Sequence, residues 1–95
     1  MIEITTFRLL PGADEAGFLA ADRDVQTGFA YQQPGLIRRT TARGAEGEWV
    51  VIELWRSDAD ADAAAIRRAD DPRSAAVSSV IEPSSVRLAR FTELS

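Results

Sequence analysis

The sequence predicts one α+β domain of the ferredoxin-like type, with a four-stranded antiparallel sheet that carries helices on one face. Its 95 residues are 45% hydrophobic and 27% charged, a composition typical of a single folded domain. Strand-like and helix-like segments follow one another as β-α-β-β-α-(α)-β, the order of a split βαβ arrangement. No repeat or linker interrupts the chain, so we expect a single domain over 1–95.

Local patterns define the elements of the first half. They are a strand over Ile2 to Leu10, a helix over residues 15–32 and a strand over Leu36 to Arg43. The first strand alternates apolar and polar residues, and Asp14 can cap the helix. Phe18, Val25 and Phe29 then line one helical stripe.

Local patterns also define the elements of the second half. Its segments are a hairpin turn at residues 44–47, a strand over Glu48 to Arg56, an Ala-rich helix from Ser57 to about Ala69, a short helix after Asp71-Pro72, and a strand over Val86 to Thr92. Glycines favour the turn, and Ser57 is a helix-capping residue. Pro83 ends the short helix.

The third strand predicts a homodimeric α+β barrel. Its side chains divide into Val50, Ile52 and Leu54 on one face and Trp49, Val51, Glu53 and Trp55 on the other. A sheet with one wet face should alternate apolar and polar residues, so both faces need a cover. The helices suffice for one face, and a second copy of the chain is the simplest cover for the other. Alternatively, the two indoles lie under loops at the sheet ends.

The charge pattern argues against nucleic-acid and membrane partners. The net charge is −4, and the 11 basic residues are all arginines without a basic stripe. Nucleic acids and anionic membranes both attract clustered basic residues. No segment approaches the ~20 apolar residues of a membrane span, and the N-terminus lacks a signal-peptide core. The expected location is the cytoplasm.

Absent residue types narrow the chemistry. The chain has no His, Cys or Lys, which removes imidazole bases, thiolate nucleophiles and Schiff-base lysines. Metal sites built on His or Cys are removed as well, and the acidic residues lack calcium-loop spacing. Of the residues that ligate heme iron, only Met1 and Tyr31 remain. We therefore expect no cofactor and no metal ion.

Three motifs resemble a known family. Pro11-Gly12 after the first strand, Pro34-Gly35 before the second, and the run Glu53-Leu54-Trp55-Arg56-Ser57 resemble the antibiotic-biosynthesis-monooxygenase-like domains of the dimeric α+β barrel superfamily. The resemblance implies a homodimer whose sheets face each other, with a pocket in each subunit. Some members are cofactor-free oxygenases, some degrade heme, and many have no known activity. A His that many members carry falls at Ala64, and the Asn of the heme-degrading and polyketide-oxidising members is missing.

Arg38 and Glu53 form the first candidate site. A turn that pairs Gly44 with Gly47 places Arg38 directly opposite Glu53. The same register predicts the pairs Leu36 with Trp55 and Ala42 with Trp49. Arg38 and Glu53, flanked by Trp49 and Trp55, could orient a polar group of an aromatic ligand. The simpler interpretation is a cross-strand salt bridge at the dimer interface.

Asp22, Tyr31 and Arg39 are the remaining candidates. Asp22 falls about 40° from Phe18 within the apolar stripe. A carboxylate there costs free energy unless it is paired, so Asp22 is either a pocket acid or base or the partner of an arginine. Tyr31 and Arg39 could reach the mouth of a pocket.

Three functions remain open from the sequence. The first is a small homodimeric domain that binds a small, partly aromatic metabolite between sheet and helices. The second is a cofactor-free monooxygenase or isomerase for a phenolic, polyketide-like substrate, with Asp22, Glu53 or Tyr31 moving protons. The third is a structural or interaction domain. A pocket that contains Asp22 or Glu53 would favour the enzyme, and a solidly packed sheet would favour the structural role.

Overall fold

The computed structural model describes all of residues 1–95 and has the predicted order of strands and α-helices. Its elements are β1 (Ile2–Phe7), α1 (Glu15–Gly28), a 3-10 helix (Ala30–Gln32), β2 (Leu36–Arg43), β3 (Trp49–Trp55), α2 (Asp58–Ala69), α3 (Pro72–Ser78), a second 3-10 helix (Pro83–Ser85) and β4 (Arg87–Phe91). The strands form one antiparallel sheet in the order β2-β3-β1-β4. This is the predicted ferredoxin-like α+β fold. No helix is both long enough and apolar enough to cross a membrane.

The helices begin where the sequence places their caps. Asp14, Ser57 and Asp71 each accept a hydrogen bond from a backbone N–H two or three residues further along, which satisfies a donor that the first turn leaves free. The first helix is shorter than predicted. It ends at Gly28, a poor helix former, and Phe29 leaves helical geometry before the 3-10 helix begins.

Two small apolar clusters lie between the sheet and the helices. In one, the rings of Phe7, Phe18 and Trp49 pack edge to face, with centroids 5.7 and 4.8 Å apart. In the other, Trp55 packs on two small residues of α2, Ala61 and Ala64. Both indoles are thus covered by helices rather than by loops. Between them on the same face of β3 lies the buried carboxylate of Glu53, which separates the two clusters.

The hairpin between β2 and β3 has one more loop residue than predicted. The N–H of Gly44 bonds the carbonyl of Glu48 at 2.7 Å, so the loop has three residues and ends at Gly47, whose φ is +84°. A residue in this left-handed conformation closes the common three-residue hairpin loop, and glycine adopts it without strain. The register therefore shifts by one residue.

This shift corrects the predicted pair. Arg39, not Arg38, lies opposite Glu53, and Arg43 replaces Ala42 opposite Trp49. An irregularity between Leu36 and Arg38 restores the predicted pairing of Leu36 with Trp55. Neighbouring strand residues face opposite ways, so Arg38 is exposed on the open face of the sheet. The predicted Arg38–Glu53 pair is wrong, and Glu53 lies buried under the helices.

Apolar side chains also occupy the open face of the sheet. The register places there Ile2, Ile4, Val50, Ile52, Leu54 and Phe91. Ile52 is 38% exposed and Phe91 is 52% exposed. The two-sided apolar character of β3 therefore reflects one face under helices and one face that no element of this chain covers.

Candidate functional site

A pocket of about 200 Å³ lies between the helix-facing side of the sheet and the three helices. Six of its thirteen lining residues are hydrophobic, and the polar ones include Asp22, Arg39, Glu53, Arg68 and Ser74. Cavities of roughly 150 Å³ accept a benzene molecule, whereas pockets for drug-sized ligands usually span ~300–1,000 Å³. The space therefore suits one ring with short substituents.

Arg39 connects the polar groups of this pocket. Its side chain is buried, and its Nη2 donates to Asp22 Oδ1 at 2.7 Å. Its Nη1 donates to Gln26 Oε1 and Thr41 Oγ1 at 3.3 and 3.2 Å. Its Nε lies 3.4 Å from Glu53 Oε2. These contacts join β2, α1 and β3 through one guanidinium.

Asp22 is paired, as a carboxylate within the apolar stripe of α1 has to be. Its Oδ1 accepts from Arg39, and its Oδ2 accepts from Thr41 Oγ1 at 2.7 Å. Both oxygens are therefore used within the protein. Of the two roles that the sequence left open for Asp22, the geometry favours the partner of an arginine.

Glu53 differs from Asp22 because its hydrogen bond and its ion pairs all involve one oxygen. Oε2 accepts from Arg68 Nη2 at 3.1 Å and lies beside Arg39, whereas Oε1 has no hydrogen-bond partner in the protein. The Arg68 guanidinium also lies 5.5 Å from the ring centroid of Phe29, within cation–π range. Two arginines and two carboxylates give the cluster a formal charge of zero, as stable buried ions require.

The charges continue across the sheet beyond the pocket. In the strand register, Glu53 lies opposite Glu3, and Glu3 lies opposite Arg90. With Arg39 opposite Glu53, one row of ionisable residues crosses all four strands. Like charges directly opposite are destabilising, and an arginine at each end of the row offsets the two glutamates. Hydrogen bonds from Arg90 to Asp62 and Glu3 raise the pKa of the Arg90 guanidinium, which therefore stays charged.

The other predicted site residues lie outside this pocket. Tyr31 does not line the pocket; its hydroxyl accepts from the backbone N–H of Arg39 at 2.8 Å and donates to the carbonyl of Arg39 at 3.3 Å. Trp49 and Trp55 belong to the apolar clusters and do not line the pocket, and Arg38 lies on the open face. Tyr31 thus positions Arg39 from outside the pocket.

Sequence reasoning missed Arg68 and Ser74. Arg68 follows Ala61 by seven residues and Ala64 by four, so all three share one face of α2. Since the two alanines are buried, that spacing could have indicated an inward-facing arginine. Ser74 carries no comparable signal in a short helix.

Three buried polar atoms at the pocket have no hydrogen-bond partner. They are Arg68 Nε, Ser74 Oγ and Arg39 Nε, although Arg39 Nε lies 3.4 Å from Glu53 Oε2 in an ion pair. Buried polar groups are nearly always satisfied in folded proteins. Unpaired donors on three lining residues therefore mark this pocket as a place where a ligand could supply an acceptor.

Solved structures share this backbone. SnoaB, a cofactor-independent oxygenase from Streptomyces nogalater, has a TM-score of 0.82 at 19% identity over 99% of this chain and 92% of that one. A Bordetella bronchiseptica protein provisionally named an antibiotic biosynthesis monooxygenase has a TM-score of 0.80 at 17% identity over 98% and 95%. The chain has the fold of the antibiotic biosynthesis monooxygenase domains.

Other proteins with this fold are less similar in backbone. Rv0793 from Mycobacterium tuberculosis has a TM-score of 0.72 at 21% identity over 99% of this chain and 94% of that one. The resemblance inferred from the two Pro-Gly pairs and the Glu53–Ser57 run is confirmed by these structures. No protein-family model and no curated protein matches the sequence. At these identities the likeness establishes the fold alone.

Replacing Tyr31 with Phe tests how Arg39 is positioned. The substitution removes the hydroxyl that pairs both backbone groups of Arg39. We expect the free energy of unfolding to fall by about 1 kcal/mol, because water can reach this half-exposed site and replace part of the loss. Chemical denaturation measures the change. Ser79→Ala, which removes an exposed hydroxyl that donates only to the carbonyl of Ala76 in its own helical turn, should change stability by less than about 0.5 kcal/mol; equal effects of both substitutions would contradict the role of Tyr31.

Proposed function

We propose that this chain is a small-molecule-binding domain that holds a small, partly aromatic metabolite in the pocket between its sheet and its helices. The observation that carries the proposal is a set of buried donors without hydrogen-bond partners, on Arg39, Arg68 and Ser74, in a pocket with six hydrophobic lining residues. Ligand sites typically combine apolar walls with a few convergent polar groups.

A purely structural role explains these features less well. A cavity and unsatisfied buried donors both reduce stability. Only nine hydrophobic residues of this chain are buried, so such losses are large relative to the core. A ligand that fills the pocket and pairs the donors would return that stability on binding.

A cofactor-free oxygenase is the second candidate, and Glu53 favours it. In this mechanism the free Oε1 of Glu53 removes a proton from a phenolic substrate, and Arg68 and Arg39 stabilise the anion that forms. The electron-rich phenolate would then reduce O2, so that one oxygen atom enters the ring, the other leaves as water and the phenol becomes a quinone. The similarity to SnoaB makes this chemistry worth testing, and Glu53 suits the role of base better than Asp22, whose oxygens are both occupied.

Blocking the pocket tests the proposed function. Ser78 is exposed and lines the pocket, whereas Ala76 is exposed on the same helix outside it. Native mass spectrometry of the purified protein should show a retained small molecule, which Ser78→Phe should lose and Ala76→Phe should keep. Oxygen uptake without added cofactor that stops only in Ser78→Phe would identify the oxygenase. Equal ligand retention by the two variants would contradict binding in this pocket.

We further propose that the open face of the sheet pairs with a second copy of the chain. Support comes from the apolar residues of that face, since large exposed apolar patches usually mark interaction sites. A chain of this size also buries only ~60–65% of its unfolded surface, so a partner subunit adds needed stability. Such an interface should bury more than ~1,500 Å² in total.

Two exposed isoleucines provide a matched test of this dimer. Ile52 lies on the open face, and Ile66 lies on α2 with 74% of its surface exposed. Sedimentation equilibrium at micromolar concentration should give a dimer for the unaltered chain. Ile52→Asp should shift it to monomer because a charge would enter the apolar interface. Ile66→Asp should remain dimeric; a monomeric unaltered chain would contradict the proposal.

A further inference from the structure

We infer that the ligand is a neutral, single-ring compound whose carbonyl-type oxygen is bound by Arg68 and Ser74. The inference rests on the proposed function and names the ligand class for the same pocket. Three observations carry it: which donors are free, how the charges balance, and how much space is present.

Arg68 has N–H donors that the protein itself leaves unused. The Arg39 guanidinium contacts four side chains, those of Asp22, Gln26, Thr41 and Glu53. The Arg68 guanidinium carries five N–H donors but bonds only one protein acceptor, Glu53. Its side chain is also 32% exposed, whereas that of Arg39 is 6% exposed. A ligand can therefore recruit Arg68 without dismantling the contacts that Arg39 makes.

Ser74 adds a second donor from another helix. It belongs to α3, whereas Arg68 belongs to α2, and both line the pocket. The hydroxyl of Ser74 is buried and has no partner. Since Ser74 Oγ and Arg68 Nε can both donate and have no protein acceptor, a ligand acceptor is the group that would pair them.

The charge balance selects a neutral acceptor over an anion. Arg39 and Arg68 already neutralise Asp22 and Glu53. A carboxylate ligand would bring a third negative charge beside those two buried carboxylates, and like charges repel more strongly where water is partly excluded. A cationic ligand would instead meet both guanidiniums. A ketone, quinone, lactone or amide oxygen accepts hydrogen bonds without either penalty.

The volume and the aliphatic wall select a single ring. The pocket of about 200 Å³ is larger than the roughly 150 Å³ cavity that accepts a benzene, which leaves room for a short substituent that can extend toward the pocket mouth. Val77, Ile81 and Val86 supply an apolar surface for the ring. A second fused ring would have to project out of the pocket in this conformation.

Three single-ring probes of seven to nine heavy atoms separate the effects of the hydrogen bond, the charge and the ring. We would titrate acetophenone, toluene and benzoate into the ¹⁵N-labelled protein and follow the backbone amides of Val77 and Ser78. Acetophenone should bind at millimolar concentration, about 3- to 10-fold more tightly than toluene, because it adds a hydrogen bond. Benzoate should bind at least about tenfold more weakly than acetophenone, because of charge repulsion.

Two adjacent arginines provide the matched variants. Arg67 is exposed, bonds Gln33 and does not line the pocket. Arg68→Gln should reduce acetophenone affinity to that of toluene, and Arg67→Gln should leave it unchanged. Ser74→Ala should weaken acetophenone binding without changing toluene binding. This second variant keeps the test valid if the loss of Arg68 disturbs folding.

Each outcome decides between the two proposals. Equal binding of toluene and acetophenone, or benzoate binding as tightly as acetophenone, would overturn the neutral-acceptor class and leave the pocket as a binding site. If no probe shifts the pocket amides, and Ser78→Phe behaves as the unaltered protein does, the proposed function itself fails.

Discussion

The ionic contacts of Arg39 join β2, α1 and β3 in the middle of the sheet, between the two apolar clusters. Its guanidinium reaches Asp22 on α1 and Glu53 on β3 from its own strand, β2. Its backbone is held by the hydroxyl of Tyr31. Removing one partner of a buried ion pair typically costs ~3–5 kcal/mol, which is a large part of the ~5–15 kcal/mol that stabilises most domains. The position of α1 on the sheet therefore depends on Arg39 as well as on the packing of Phe18 against Phe7 and Trp49.

This ionic centre also explains the divided core and the pocket. Apolar residues pack at either end of β3, around Trp49 and Trp55, and the charged groups occupy the middle. Charged groups tolerate burial only with hydrogen-bonding partners, so they sit together in the middle of the sheet. The space beside them is the pocket. The same residues thus orient the helix and leave polar atoms available to a ligand.

The fold was predictable because its signals are local. Alternation, helical spacing and capping residues identify each strand and α-helix without knowledge of its neighbours. The site was less predictable because it depends on register. One additional loop residue before Glu48 places Arg39 instead of Arg38 opposite Glu53, and these two arginines face opposite sides of the sheet. Arg68 was missed because its role depends on the packing of α2, although its spacing from Ala61 and Ala64 carried the information.

The most direct test of the central role of Arg39 compares two neighbouring substitutions. Equilibrium denaturation would measure the free energy of unfolding of Arg39→Met and Arg38→Met against the unaltered chain. Arg39→Met should lose about 3–5 kcal/mol, or fail to fold, because Asp22 and Glu53 lose a shared buried partner. Arg38→Met, on the open face, should change stability by less than about 0.5 kcal/mol. Equal losses in the two variants, or a loss below about 1 kcal/mol for Arg39→Met, would contradict the account.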